Sequence, residues 1–86
     1  MFINKGMNGK NNISGNNISK LRLQMGISQR ELADKLQTVG LDIDKNAVQR
    51  IESGQRFVTD IELFYFCIVF NVKAENLFDK EFRKDV

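Results

Sequence analysis

The stretch KNAVQRIESGQR, residues 45–56, combines a narrow apolar stripe with a wide polar face. Ala47, Val48 and Ile51 recur at the spacing of one face of an α-helix. Asp44 precedes them as a candidate N-cap, and Gly54 can take the left-handed conformation that ends a helix. The sequence therefore predicts a short helix over residues 45–53 that buries only a thin stripe. Its polar face is left available for binding.

Start signals of the same kind flank this helix on both sides. Ser28 and Glu31 form a capping-box pattern in SQRE, and Thr59 and Glu62 form another in TDIE. An aliphatic residue precedes each box and can pack on the helix that follows. Gly26 supplies a further stop signal. We expect an all-α fold of five short helices around one core, over residues 15–25, 28–37, 45–53, 60–70 and 74–80.

The predicted core follows from the 3.6-residue period of each helix. The inward-facing residues are expected to be Ile18, Leu21, Met25, Leu32, Ala33, Leu36, Val48, Ile51, Leu63, Phe66, Cys67, Phe70, Val72, Leu77 and Phe78. Cys67 is interpreted as a small buried apolar group, because the chain has no His to activate a thiol.

Composition excludes several classes of protein. The 86 residues include one Cys and no His, so we expect no disulfide framework, no metal site and no cofactor, and we expect a reducing, cytoplasmic location. The longest apolar run, Leu63–Phe70, is far shorter than the roughly 20 residues that a membrane-spanning helix needs. Residues 1–20 lack the apolar segment of a secretory signal.

Charge is distributed unevenly along the chain. Residues 1–30 hold five basic and no acidic side chains, whereas residues 57–86 hold four basic and six acidic ones. This asymmetry is typical of a protein that presents one face to a polyanion, although a solvated basic tail would give the same count. Residues 1–12 are rich in Asn, Gly and Lys and are interpreted as a flexible basic arm, followed by one domain over residues 13–86.

The strings LRLQMGISQRELADKL and AVQRIESG together resemble the phage-repressor and Cro-like helix-turn-helix family, the xenobiotic-response-element type. The resemblance covers residues 14–79 and rests on Leu21, Arg22, Gly26, Ser28, Gln29, Leu32, Ala33, Val48, Ile51, Glu52 and Gly54. It implies a lambda-repressor-like DNA-binding domain. The helix after Asp44 would enter the major groove of double-stranded DNA. The turn over residues 37–43 is longer than the family's usual form.

The resemblance also implies a role for individual side chains. Base contacts are expected from Lys45, Asn46, Gln49 and Arg50, and phosphate contacts from Ser28, Gln29, Arg30, Ser53, Gln55 and Arg56. Glu52 would be repelled by DNA, and the family instead pairs it with Arg22 in a salt bridge. Lys5 and Lys10 on the arm could reach around the duplex. The implied function is that of a sequence-specific transcriptional regulator, most simply a repressor.

The predicted fourth helix has more apolar residues than the core requires. Ile61, Phe64, Tyr65 and Ile68 form a second stripe at helical spacing. Since an exposed apolar stripe usually marks an interface, we expect a homodimer through it, in line with two-fold binding to paired half-sites. Cover by the arm or by Phe82 is the alternative.

Two alternative functions differ in how well the sequence fits them. The same scaffold could be a protein-interaction module, of the antitoxin or anti-repressor kind, that uses the apolar stripe to bind a different protein. An enzyme would need a base, a nucleophile or a metal cluster, and the chain has no His and no convincing pair of carboxylates. The sequence shows no separate domain that would bind a small-molecule ligand.

Overall fold

The structure is a computed structural model and describes residues 9–80. This part of the chain folds into four α-helices and one short 3-10 helix, with no strand. The elements are α1 (Gly15–Gln24), α2 (Gln29–Thr38), α3 (Lys45–Glu52), α4 (Asp60–Phe70) and the 3-10 helix (Ala74–Leu77). The all-helical fold is confirmed. The fifth helix is shorter than predicted, because the backbone becomes extended at Phe78 and the helix cannot continue.

The predicted caps form at the starts of three helices. The Ser28 hydroxyl accepts the Glu31 N–H at 3.0 Å, and the Glu31 carboxylate accepts the Ser28 N–H in return. Thr59 and Glu62 make the same reciprocal pair at the start of α4. Asp44 accepts the third N–H of α3. These bonds satisfy N–H groups that a helix cannot pair internally, so the helix starts are fixed locally.

The helix ends are closed by residues with positive φ. Gly26, Gly40 and Gly54 follow α1, α2 and α3, with φ values of 70°, 114° and 82°. At each of them the next N–H reaches back to a carbonyl five residues earlier, which is the Schellman pattern. Asn71 ends α4 in the same way at φ 55°, a conformation that Asn tolerates better than most residues.

The core lies between the four α-helices, and the 3-10 helix closes it against α1 and α4. Its fully or nearly fully buried apolar residues are Ile18, Leu32, Ala33, Leu36, Ile43, Val48, Ile51, Phe66 and Leu77. The other predicted core residues are half-buried, with one exception. Met25 was predicted to face inward but is exposed. Because α1 ends at Gln24 and the chain turns at Gly26, Met25 lies past the last buried turn of that helix.

Helices α1 and α3 approach each other closely at Gly15. A Cβ atom placed on Gly15 would lie 2.2 Å from the carbonyl oxygen of Ile51, far inside van der Waals contact. Only glycine fits without moving one of the two helices. This contact brings the start of α1 against the end of α3.

Residues 9–12, here called the N-terminal strap, lie against the turn that follows α3. The Asn11 N–H donates to the Gly54 carbonyl at 2.8 Å, and the side-chain amide of Asn11 donates to the Gln55 carbonyl at 2.9 Å. Composition placed these residues in a flexible arm, but long-range hydrogen bonds tie them to the domain. Residues 1–8 of the expected arm, with Lys5, lie outside the described part of the chain, as does Phe82.

Candidate nucleic-acid interface

Helix α3 is divided into a buried stripe and an exposed polar face. Val48 and Ile51 are completely buried. The four predicted base-contacting residues are all exposed: Lys45, Asn46, Gln49 and Arg50. These side chains lie on the face of α3 opposite the core, so their donors and acceptors are accessible to solvent. The structure therefore brings the predicted set together on one surface.

The long turn before α3 is tightly held. Helix α2 continues to Thr38, so the turn spans residues 39–44 rather than the predicted 37–43. The Leu41 N–H bonds to the Leu36 carbonyl at 2.9 Å, and the Gln37 amide donates to the Ile43 carbonyl at 2.7 Å. Ile43 is buried in the core. These contacts at both ends of the turn fix the point at which α3 begins.

The start of α2 lies beside the start of α3. Ser28, Gln29 and Arg30 line an open cleft together with Arg22 and Lys45. Arg30 is exposed, and Ser28 is occupied as the cap of α2. The cleft therefore joins predicted phosphate-contacting residues on α2 to a predicted base-contacting residue on α3. Arg30 and Lys45 give the cleft a positive electrostatic character.

Beneath this cleft, Glu52 links three elements. Arg22 Nε lies 2.7 Å from Glu52 Oε2, and Arg22 Nη2 lies 3.0 Å from Glu52 Oε1. Arg22 also donates to the Ile27 carbonyl. Hydrogen bonding to Glu52 raises the pKa of Arg22 above its ordinary value. The ion pair that the resemblance implies is thus present, and it fixes α3 against α1.

Gln29 shares this network. Its side-chain amide nitrogen donates to Glu52 Oε1 at 3.1 Å, and the residue is half-buried. The sequence predicted a phosphate contact for Gln29, but it did not indicate this bond to Glu52, because the two residues are 23 positions apart. The bond holds the Gln29 side chain at the N-terminal end of α2.

The predicted phosphate-contacting residues after α3 differ in their surroundings. Ser53 and Gln55 are exposed. Arg56 instead forms a bidentate ion pair with Glu62, with Nη2 2.8 Å from Oε2 and Nη1 2.9 Å from Oε1. The family resemblance and the residue spacing did not predict this pair. The signal was available, because the capping box fixes Glu62 at the start of α4, next to the turn that carries Arg56.

The carboxylate of Glu62 accepts three hydrogen bonds, two from Arg56 and one from the Thr59 N–H. Burial acts to raise its pKa, but hydrogen bonds from Arg56 and from the Thr59 backbone, with the charge of Arg56, outweigh burial and lower the pKa. Glu62 and Arg56 therefore form a partly buried charged pair that joins the turn after α3 to α4.

The apolar stripe of α4 is exposed at Ile61, Phe64 and Ile68. Tyr65 departs from the predicted stripe, because it is half-buried and packs against the core. A Cβ on Gly40 would lie 3.5 Å from the Tyr65 hydroxyl, so this ring covers the long turn before α3. Phe64 packs edge-on against Tyr65, with ring centroids 5.5 Å apart. Helix α4 thus contacts the turn that positions α3.

The potential metal-ligating side chains of residues 9–80 are scattered. No group of three or more metal-ligating side chains occurs in this range. Cys67 is half-buried, and burial raises the pKa of its thiol, which disfavours the reactive thiolate. No helix within the described range is long and apolar enough to cross a membrane.

Comparison with known proteins agrees with this geometry. A helix-turn-helix family model matches residues 18–75, most of the chain. Among solved structures, the chain is similar to the restriction-modification controller protein C.AhdI from Aeromonas hydrophila, with a TM-score of 0.66 and 26% identity. The match covers 76% of this chain and 87% of C.AhdI. A comparison with curated proteins finds no match. The chain therefore belongs to the helix-turn-helix family of the xenobiotic-response-element type, a family of DNA-binding transcription regulators.

Proposed function

We propose that this protein is a sequence-specific regulator that reads double-stranded DNA with the exposed face of α3. The observation that carries the proposal is the joint exposure of Lys45, Asn46, Gln49 and Arg50 on a helix anchored by its opposite face. A rigid helix that presents several amide and cationic groups can hold them in register with base edges. Family membership supports the same conclusion.

The side chains of α3 match the chemistry of the major groove. Asn46 and Gln49 carry amides that can pair with both hydrogen-bonding positions of adenine. Lys45 and Arg50 carry donors that suit the two acceptors of guanine. We therefore propose that these four residues select the operator sequence.

Phosphate contacts are proposed on either side of α3. Ser28, Gln29 and Arg30 lie at the N-terminus of α2, where the helix dipole favours an anion. Ser53 and Gln55 are exposed beyond the other end of α3. For Arg56 the proposal is weaker than the sequence alone suggested, because its guanidinium is already paired with Glu62.

We propose that the protein binds its operator as a homodimer through Ile61, Phe64 and Ile68, with Tyr65 at the edge of the stripe. Exposed side chains of this size on one face of a helix are typical of an interface. A two-fold dimer would place its two α3 helices on half-sites about 34–36 Å apart. Such a dimer bound at a promoter would block access to that DNA, so we propose repression, in the cytoplasm where the operator lies.

Selection of bound duplexes from a random pool at moderate salt tests this function. The wild-type chain is expected to enrich a two-fold symmetric sequence, and the variant Asn46→Ala/Gln49→Ala is expected to lose it. The matched control is Gln24→Ala/Asn76→Ala, which removes the same two side-chain types from exposed positions outside α3. The control should enrich the wild-type sequence.

The outcome that would reject the proposal is absence of enrichment from a folded wild-type protein. The exposed stripe on α4 would then favour a protein-interaction module of the antitoxin or anti-repressor kind. An enriched sequence without two-fold symmetry would support DNA reading by α3 but would contradict the proposed dimer.

A further inference from the structure

The apolar surface of α4 continues beyond Ile68 onto two other helices. Ile68 lines an open groove of about 400 Å³ between the ends of α1 and α2 and helix α4. The residues that line the groove are Met25, Lys35, Thr38, Val39, Ile68 and Val69. Met25 and Val39, at the ends of α1 and α2, are exposed. The stripe and the groove therefore form one continuous apolar surface.

The exposed stripe of α4 is too small for a stable dimer interface by itself. A specific interface buries about 800 Å² on each partner. Even an aromatic side chain buries only about 150–250 Å². The three exposed members of the stripe, Ile61, Phe64 and Ile68, are 45–64% exposed, so together they supply well under the area required. A stable dimer needs further apolar surface, and the adjoining groove provides it.

Phe64 and the groove lie side by side on the same face of α4. Phe64 is 61% exposed, and its ring packs edge-on against Tyr65 with centroids 5.5 Å apart. Phe64 precedes Ile68 by one helical turn. A protruding ring thus stands next to an apolar groove. Two copies related by a two-fold axis require such self-complementarity, because every contact in their interface occurs twice.

Two antiparallel α4 helices meet this requirement when the two-fold axis passes between Phe64 and Ile68. Phe64 of each copy then lies over the partner's Ile68, at the groove of that copy. Met25 has a flexible side chain that can adjust its shape around an aromatic ring. Lys35 and Thr38 are exposed and would form the polar edge that surrounds most protein interfaces.

We propose that the groove lined by Met25, Val39, Ile68 and Val69 receives Phe64 of a second copy of this chain. This inference rests on the proposed homodimer and deepens it. The interface extends from α4 to the ends of α1 and α2, and Met25 and Val39 become interface residues.

Two single variants and their mixture test this arrangement by sedimentation equilibrium. Val39→Glu places a carboxylate in the groove, and Phe64→Lys places an ammonium group on the side chain that enters it. Each change buries an unpaired charge, so each variant alone should self-associate at least about tenfold more weakly than the wild type. An equimolar mixture should regain the dimer, because the carboxylate of one copy meets the ammonium group of the other. Leu23→Glu, at an exposed apolar residue outside the groove, should match the wild type.

The possible failures have different meanings. A Val39→Glu variant that dimerises like the wild type, or a mixture that stays monomeric, would overturn the assignment of the groove while leaving a dimer through the stripe. A wild-type monomer at high concentration would overturn the proposed dimer and this inference with it. Loss of DNA reading by α3 is a separate result, given by the selection of bound duplexes. Thermal melting of each variant identifies one that has merely unfolded.

Discussion

The guanidinium of Arg22 and the carboxylate of Glu52 form a two-point ion pair that joins α1 to the end of α3. The two contacts measure 2.7 and 3.0 Å, and the side chains are 12% and 6% exposed. The pair lies beneath the cleft that Arg22 and Lys45 both line. By fixing α3 against α1, it sets the position of the helix that is proposed to read bases.

Glu52→Ala is expected to destabilise the fold strongly. The substitution removes the acceptor that Arg22 and Gln29 share and leaves the Arg22 charge largely buried without its partner. Breaking a buried ion pair in this way typically costs about 3–5 kcal/mol. Urea unfolding measures the loss. Glu75→Ala, at an exposed position of the 3-10 helix, is the control and should change the free energy of unfolding by no more than about 0.5 kcal/mol. Equal stability of the two variants would contradict this role for Glu52.

Acid should destabilise the protein through Glu62. Its pKa is lowered in the folded state, so its contribution to stability is complete above the unfolded-state value of about 4.3. That contribution is lost as the pH falls further, through the folded-state pKa. The melting temperature should therefore fall less between neutral and acidic pH for Glu62→Gln than for the wild type. The control is Asp60→Asn, at the exposed first residue of α4. Its melting temperature should fall with acid as much as that of the wild type. An equal fall in melting temperature with acid for the wild type and Glu62→Gln would contradict this prediction.

Arg50→Ala and Arg56→Ala should have different effects, although both residues are basic and close to α3. Arg50 is exposed on the proposed reading face, so its loss should weaken operator binding and leave the melting temperature nearly unchanged. Arg56→Ala removes the partner of Glu62 and should lower the melting temperature. Fluorescence anisotropy and melting, measured on both variants, separate the two roles. An unaltered melting temperature for Arg56→Ala would show that the ion pair contributes little.

Phe64→Glu should separate the proposed dimer into monomers. Phe64 is 61% exposed on the apolar stripe, and a carboxylate buried there by an apolar interface would lose its hydration without gaining a partner. Leu23→Glu is the control, because Leu23 is 63% exposed on α1 and lies off the stripe. Sedimentation equilibrium should give a dimer for the wild type and the control and a monomer for Phe64→Glu. A wild-type monomer at high concentration would reject the dimer itself.

Local signals in the sequence predicted much of this fold. Ser28, Asp44 and Thr59 cap their helices as predicted, because a cap depends on residues only three positions apart. Gly26 and Gly54 end their helices for the same local reason. Met25 was assigned to the wrong environment because periodicity gives a direction around a helix but does not fix the residue at which the helix ends.

The missed features of the candidate site are long-range. Asn12 bonds to carbonyls 39 and 44 positions away, and Arg22 and Glu52 are separated by 30. A run of Asn, Gly and Lys looks the same in a free arm and in a strap that docks on a turn. The Arg22–Glu52 pair was expected only because the sequence resembles a known family. No family pattern was available for the strap.

The separation between the strap and its docking site also bears on the order of events in folding. Residues 9–12 leave the ribosome well before residues 51–56, so the strap has nothing to bind until α3 and its turn exist. Closing so long a loop is slow relative to forming a capped helix, and the strap should dock late. Asn11→Ala, which removes the side-chain bond to the Gln55 carbonyl, should accordingly speed unfolding and leave the refolding rate nearly unchanged in stopped-flow measurements. A marked slowing of refolding would instead place the strap in the folding nucleus. Late docking would mean that the helical core can form before the turn after α3 gains its hydrogen bonds to the strap.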